Sequence, residues 1–174
     1  MNESGVIRDR KKNKFRATLL VVCSLAGEKL LPLYIDTAKK PRWTQVMGRK
    51  AVAPIDYTHS AKGWMTQNIF GQVCTMLEQK REPKRTALLT ADNCSVHCGM
   101  TDRFRGVNKT SLCVLMSPKN VTSKVQPCDQ GVIRSLKASY HEKLIARLLL
   151  TYDTRKVSLY EGLMMVRVSW SNVR

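Results

Sequence analysis

The chain has 174 residues, of which 43% are hydrophobic, and its 30 Lys and Arg against 13 Asp and Glu give a formal net charge of +17. This length allows a single domain with a real hydrophobic core, and the apolar fraction excludes a disordered or fibrous chain. The apolar runs are too short to cross a bilayer, and the large positive excess favours a polyanionic partner such as nucleic acid.

The first part of the chain predicts a basic arm followed by two strands. Residues 8–16, RDRKKNKFR, read as an exposed arm or turn. FRATLLVVCSL (15–25) and KLLPLYI (29–35) read as strands joined by a hairpin-like turn at residues 26–28, where Gly27 suits a tight turn. Residues 36–63 are rich in Lys, Arg, Pro and Gly and predict a loop.

The next elements predict an α/β class with a mixed sheet. Residues 65–81 read as an amphipathic helix whose apolar positions lie three and four apart: Met65, Ile69, Val73, Met76 and Leu77. TALLTAD (86–92) and TSLCVLMSP (110–118) read as central strands covered on both faces, with a short irregular or helical piece at 100–105 between them. A long helix begins at Asp129, and its packing stripe is Ile133, Leu136, Tyr140, Leu144 and Leu148.

Two aspartates stand where a metal site would be expected. Asp92 ends a buried strand, and Asp129 begins the helix that follows the next strand. Because sites in open α/β sheets gather beyond the carboxyl ends of the strands, these two carboxylates can face one another. Oxygen ligands of this kind suit Mg²⁺ or Mn²⁺, and paired ions support phosphodiester cleavage. Each residue alone also has a structural interpretation, Asp129 as a helix N-terminal residue and Asp92 as a loop cap.

The residues around these aspartates match a known family pattern. LLTADNCSVH, followed by LCVLMSPKNVTSKVQPCDQGVIRSLKASYHEKLIARLL, resembles the DDE superfamily endonuclease domain of pogo- and Tigger-type transposases, a group that includes jerky-like and centromere protein B-like proteins. The matching positions are Asp92, Asn93, His97, Pro118, Asn120, Thr122, Ser123, Gln126, Pro127, Asp129, Gln130 and Gly131. GEKLLPLYIDTAKKPR and GWMTQNIF extend the resemblance upstream.

The resemblance implies a ribonuclease H-like fold, a mixed sheet flanked by helices and here truncated at the first strand. It also implies that Asp92 and Asp129 are the second and third acidic ligands of a two-ion Mg²⁺ or Mn²⁺ site for DNA strand cleavage and transfer. The first family acid lies in a Met-Asp-Glu-Thr-Gly type motif, whereas this chain begins Met1-Asn2-Glu3-Ser4-Gly5. Asn2 brings no negative charge, so we expect an impaired catalytic centre or a domesticated, non-catalytic nuclear DNA-binding or scaffolding protein.

Further expectations concern the basic residues, the histidine and the cysteines near the two aspartates. Lys119, Lys124, Arg134 and Lys137 flank the acidic site and are expected to contact DNA phosphates. His97 either helps to position a phosphate or caps the turn after Asp92. Cys94, His97, Cys98 and Cys113 lack the spacing of a zinc site.

The whole of 1–174 is expected to form one domain in which residues 1–16 are a basic arm or a remnant of the first strand. We expect a nuclear protein with reduced cysteines, a DNA partner, no membrane association and no small-molecule substrate. An unpaired sheet edge left by truncation would allow a homodimer.

Overall fold

The computed structural model describes residues 17–46, 52–80, 86–92, 94–98, 112–118, 128–151 and 157–173. In chain order the elements are β1 (Thr18–Leu20), β2 (Leu33–Asp36), α1 (Trp43–Val46), β3 (Asp56–His59), α2 (Gln67–Lys80), β4 (Ala87–Ala91), α3 (Ser95–Cys98), β5 (Leu112–Met116), a π-helical turn (Cys128–Val132), α4 (Ile133–Thr151) and α5 (Leu159–Asn172). The predicted class, mixed α/β with strands of both orientations, is confirmed. The predicted arm at 8–16 and the predicted piece at 100–105 lie outside the described residues.

The first sheet has the order β1-β2-β3. β1 and β2 are antiparallel, with Thr18 opposite Ile35, and the predicted hairpin between them is confirmed. Its turn contains Gly27 at φ +86°, in the left-handed region that favours glycine. The amide of Gly27 donates to the carbonyl of Ser24 at 3.1 Å, which closes the turn.

The prediction of a plain loop over residues 36–63 is wrong, because this segment contains α1 and β3. β3 pairs in parallel with β2, from Leu33 opposite Asp56 to Asp36 opposite His59. Its sequence DYTH has exposed polar residues at both ends, so it lacks the apolar alternation by which strands are recognised. Backbone pairing with β2 and the packing of Tyr57 on the cluster of Trp43 and Ile55 hold it as a strand.

The second sheet consists of β4 and β5, which are parallel with Ala91 opposite Met116. Its inner face packs on α2 in a core formed by Phe70, Cys74, Ala91, Leu112 and Val114. The prediction that both faces of these strands are covered is wrong for the described residues, since Leu88 is 61% exposed and Leu115 is 53% exposed. Periodicity alone could not separate the covered face from the open one, because both carry apolar side chains.

Helix α2 connects the two sheets. Phe70 and Cys74 point into the core of the second sheet, whereas Ile69 and Val73 line a cavity of about 400 Å³ against the first sheet. The predicted helix is therefore confirmed with slightly shorter bounds, Gln67–Lys80. Its buried surface is wider than the predicted stripe, because Phe70 and Cys74 were not part of it.

Helix α5 packs on both the first sheet and α4. Leu163 joins Trp43 and Ile55 in one buried cluster, and Trp170 joins Leu136 of α4 in another. The sequence patterns considered above predict no element after α4. The missed signal was a capping box, in which Ser158 and Glu161 satisfy each other's backbone amides immediately before an apolar helical pattern.

The end of α5 is fastened to the β1–β2 hairpin. The ammonium of Lys29 donates to the carbonyls of Trp170 at 2.8 Å and Val173 at 2.5 Å. In return the indole Nε1 of Trp170 donates to the carbonyl of Leu30 at 2.6 Å. Among the described helices, none combines the length and the apolar character that a membrane span requires.

Candidate active site around Asp92

Asp92 follows the last residue of β4, at the carboxyl end of the second sheet. The parallel ladder continues one step beyond the strands, because the amide of the buried Ser117 donates to the carbonyl of Ala91 at 2.8 Å. This hydrogen bond holds the end of β4 against the residue that follows β5, immediately before Asp92. The sequence prediction that Asp92 stands at the end of a strand is confirmed.

His97 is the partner of Asp92. Its Nδ1 lies 2.5 Å from Asp92 Oδ1 and 3.2 Å from the carbonyl oxygen of Asp92. Both neighbours are acceptors, so the tautomer that suits this contact has its proton on Nδ1. The amide of His97 also donates to the carbonyl of Cys94 at 2.9 Å, which closes the first turn of α3. Of the two roles considered for His97, the contact with Asp92 agrees with a cap on the turn after β4.

The imidazole of His97 is itself held by packing. Its ring centroid lies 4.4 Å from that of Phe70, which belongs to the core beneath the second sheet. The His97 side chain is 14% exposed, whereas the Asp92 side chain is 42% exposed. Because Asp92 Oδ1 is buried, the accessible part of the carboxylate is on the side of Oδ2. Asp92 thus has one buried oxygen in contact with His97, while the side chain as a whole keeps a substantial exposed surface.

The second predicted acid, Asp129, lies on the π-helical turn Cys128–Val132 that leads directly into α4. The helix therefore begins close to where the sequence predicted it. The neighbouring Val132 packs against the cluster of Leu136, Trp170 and Val173. The side chain of Asp129 lies outside the described part of the structure, so the expected meeting of the Asp92 and Asp129 carboxylates stays a prediction.

The basic residues proposed as phosphate contacts are only partly described. Arg134 and Lys137 are exposed on the first turns of α4, directly after the turn that carries Asp129. Their spacing of three residues puts them on one side of the helix. Lys119, Lys124 and Asn2 lie outside the described residues.

The described residues do not by themselves form a metal site. Within the described ranges there is no group of three or more His, Cys, Asp or Glu side chains that could hold a metal ion. Asp92 supplies one partly exposed carboxylate, whereas Mg²⁺ and Mn²⁺ bind through several oxygen ligands. A complete ion site would need Asp129 or other groups.

A second carboxylate at a strand end, Asp36, has a different environment. It is 2% exposed and accepts a hydrogen bond from the amide of Thr37 at 2.6 Å and a longer one, at 3.3 Å, from the phenol of Tyr57, which also donates to the carbonyl of Ala38 at 2.5 Å. Burial, with a smaller contribution from the charge of Asp36, raises the pKa of Tyr34 to about 12 and raises the pKa of Tyr57 further. Both oxygens of Asp36 have donors, so this acid stabilises the first sheet and is not available to a ligand.

Comparisons with known proteins concern the family to which this sequence is similar. A family model described as DDE superfamily endonuclease matches residues 14–174. Tigger transposable element-derived protein 4 of Mus musculus is 29% identical over 165 residues, which are 92% of this chain and 30% of that protein. ARS-binding protein 1 of Schizosaccharomyces pombe (strain 972 / ATCC 24843) is 29% identical over 140 residues, which are 78% of this chain and 27% of that protein.

This chain therefore spans less than a third of the length of these two relatives. No solved structure matches it significantly. The family match includes both predicted acids and the sequence between them, and a relative named for a Tigger element agrees with the resemblance drawn from the motifs. The chain belongs to the DDE superfamily endonuclease family.

Proposed function

We propose that this chain is a nuclear DNA-binding DDE domain whose phosphodiester-cleavage site is weakened by the replacement of its first acid with Asn2. The observation that carries the proposal is Asp92, which lies at the carboxyl end of β4 with its buried Oδ1 against His97 Nδ1 and 42% of its side chain exposed. A neighbouring group that orients a carboxylate in this way is typical of carboxylates that coordinate metal ions.

Charge and family membership support a DNA partner. The net charge of +17 would attract a polyanion, and the exposed Arg134 and Lys137 present two cations next to the turn of Asp129. Cations beside an acidic site draw the DNA backbone toward carboxylates that would otherwise repel it. The name of the Schizosaccharomyces pombe relative describes an ARS-binding protein, which is in keeping with this partner.

Metal ions enter the proposal through the family, whose members generally use Mg²⁺ or Mn²⁺. Asp92 and Asp129 would hold such an ion, which when bound would supply electrostatic stabilisation to the phosphate. With Asn2 in place of the first acid, the site lacks one negative charge, so we expect weak ion binding. His97 acts as a positioning residue that orients Asp92.

The first test measures DNA binding by fluorescence anisotropy with a labelled duplex. Contact with six to ten phosphates should lower the affinity by roughly 10³ to 10⁵ between 50 and 200 mM salt. The double variant Arg134→Gln/Lys137→Gln should reduce the salt slope by about 2, because each phosphate contact contributes about 0.9. Lys39→Gln/Lys40→Gln removes the same charge from two exposed lysines after β2 and serves as the control.

Equal reductions of the salt slope in both double variants would contradict a specific role in DNA binding for the start of α4. A salt-independent affinity would contradict DNA binding through the phosphate backbone. Nuclear localisation has its own test, in which residues 8–16 are fused to a fluorescent reporter. Basic runs of this kind can act as nuclear-import signals, and a reporter that stays in the cytoplasm would exclude that role for residues 8–16.

The second test measures nicking of supercoiled plasmid with Mg²⁺ or Mn²⁺. Weak activity is expected in the native chain, more in Asn2→Asp, and none in Asp92→Ala. His97→Ala should weaken saturable Mn²⁺ binding, and His97→Asn, whose amide can donate to the same carboxylate, should restore part of it. Full activity in Asp92→Ala would refute the assignment of the site.

A DNA-binding or scaffolding module without catalysis is the second candidate, and the uncharged Asn2 at the first acidic position favours it. Such a module would bind DNA as above but would show neither nicking nor saturable Mn²⁺ binding in the native chain and in Asn2→Asp. The Mn²⁺ titration therefore separates the two candidates even where the nicking assay is silent.

A further inference from the structure

Two cysteines far apart in the chain meet beside the turn that carries Asp129. Cys23 follows β1, and Cys128 begins the π-helical turn before α4. Their Sγ atoms are 3.6 Å apart, although the residues are separated by 105 positions in the sequence. Since a disulfide has an S–S length of about 2.0 Å, the two sulfurs need to approach by only about 1.6 Å.

We propose that Cys23 and Cys128 form a redox-responsive thiol pair that closes to an intramolecular disulfide when the protein meets a hydroperoxide. One thiol attacks the peroxide oxygen, which breaks the O–O bond and gives a sulfenic acid and one water molecule. The second thiol attacks the sulfenic sulfur, forms the S–S bond and releases a second water molecule. The two thiols lose two electrons, and the hydroperoxide gains them; a hydroperoxide that carries an organic group releases its alcohol in place of the first water.

The surroundings of the pair suit this reaction. Both thiols are partly exposed, so an oxidant of small size can reach them. Backbone contacts hold Cys23 in place, because it forms an isolated antiparallel bridge with Lys29. The turn of Cys128 is held through Val132, which packs with Leu136, and the nearby Val21 packs on the same cluster. The pair is therefore brought together by the packing of α4 and α5 on the hairpin.

The other three cysteines whose side chains the structure describes do not combine partial exposure with a neighbouring thiol. Cys74 is fully buried, and burial raises the pKa of its thiol to about 11, so it is neither accessible nor ionised at neutral pH. Cys94 is exposed on the surface, where oxidation would link two molecules rather than two segments of one. Cys113 lies on β5 and is partly buried, which makes it a matched control for Cys23 and Cys128.

Closing the disulfide would fix the residue before Asp129 to the first sheet. Any effect of this link on the proposed cleavage site rests on the proposed function, whereas the formation of the disulfide does not. It can be detected in protein without DNA or metal ions, so a failure of one proposal is distinguishable from a failure of the other.

The experiment treats the reduced chain with hydrogen peroxide at low protein concentration, blocks remaining thiols, digests without reduction and identifies linked peptides by mass spectrometry. The expected result is a peptide pair joined through Cys23 and Cys128 in a monomer, reversed by dithiothreitol. The pair should persist in Cys94→Ser and Cys113→Ser and should vanish in Cys23→Ser and Cys128→Ser, where one thiol remains for blocking.

Thermal unfolding gives a second measurement. Because the disulfide closes a long loop, oxidation should raise the Tm of the native chain by about 10 °C and leave that of Cys128→Ser unchanged. The proposal is overturned if the oxidised native chain contains no peptide linked through Cys23 and Cys128, or if its linked peptides are only intermolecular pairs through Cys94.

Discussion

Replacing Lys29 with Met should destabilise the protein by removing the cation at the end of α5. The ammonium of Lys29 donates to the carbonyls of Trp170, Ser171 and Val173, at distances from 2.5 to 3.3 Å. The last carbonyls of a helix lack the donors of a continuing helix, and the ammonium supplies one here, at Trp170 in addition to the cap amide of Val173, which donates to the same carbonyl at 3.3 Å. The ammonium also lies 5.6 Å from the centroid of the Trp170 ring.

The expected loss of unfolding free energy is about 2 kcal/mol. Hydrogen bonds to a charged group contribute roughly 1.5 to 3 kcal/mol, and a cation at a partly buried helix C-terminus contributes up to about 2 kcal/mol. These two terms describe the same contacts and are not added, and water can partly replace the ammonium because Lys29 is half-buried. Met retains an apolar stem of similar shape, so the packing against Trp170 is largely kept.

The assay is urea unfolding followed by circular dichroism, with Lys40→Met as the matched control at an exposed position. A loss of about 2 kcal/mol corresponds to a Tm lowered by about 4 to 8 °C in a chain of this size. The m-value should not change, because the surface exposed on unfolding is the same. If Lys29→Met and Lys40→Met differ by less than about 0.5 kcal/mol, the fastening of α5 by Lys29 is refuted.

Three further predictions concern other parts of the fold. Phe70→Ala should cost about 3 to 5 kcal/mol in urea unfolding, because Phe70 is 4% exposed in the core of the second sheet, and a loss below about 1 kcal/mol would contradict that packing. Tyr57→Phe should cost about 1 to 3 kcal/mol by the same assay, since it removes a donor to the buried Asp36, and unchanged stability would show that the phenol is dispensable. Hydrogen bonds from the backbone and side chain of Ser158 lower the pKa of the Glu161 carboxyl below its ordinary value of 4.5. The ionised carboxylate therefore stabilises the fold above pH 4.5, and this contribution is lost as the pH falls through the lowered pKa. As the pH is lowered through this range, the free energy of unfolding should therefore fall more steeply in the native chain than in Glu161→Gln. Parallel curves of unfolding free energy against pH would count against the capping box.

The candidate site was only partly readable from the sequence. The placement of Asp92 after a strand followed from an apolar run that ends in an acid, and this was confirmed. The partner of its Oδ1 did not follow, because His97 had two equally open roles until the turn of α3 brought its Nδ1 to the carboxylate. Nothing in the sequence indicated that Phe70 belongs to the site, because only the packing of α2 on the second sheet places its ring against the imidazole of His97.

The sequence by itself determined the mixed α/β class, the hairpin at Gly27, helix α2 and the family. These depend on periodicity, turn chemistry and motif spacing, which are local properties of the chain. Only the tertiary structure decided that the polar β3 is a strand, which face of β4 and β5 is open, and that Cys23 meets Cys128 across 105 positions. The physical reason is that backbone pairing, side-chain burial and long-range contacts depend on which segments lie side by side, and local patterns do not specify their neighbours.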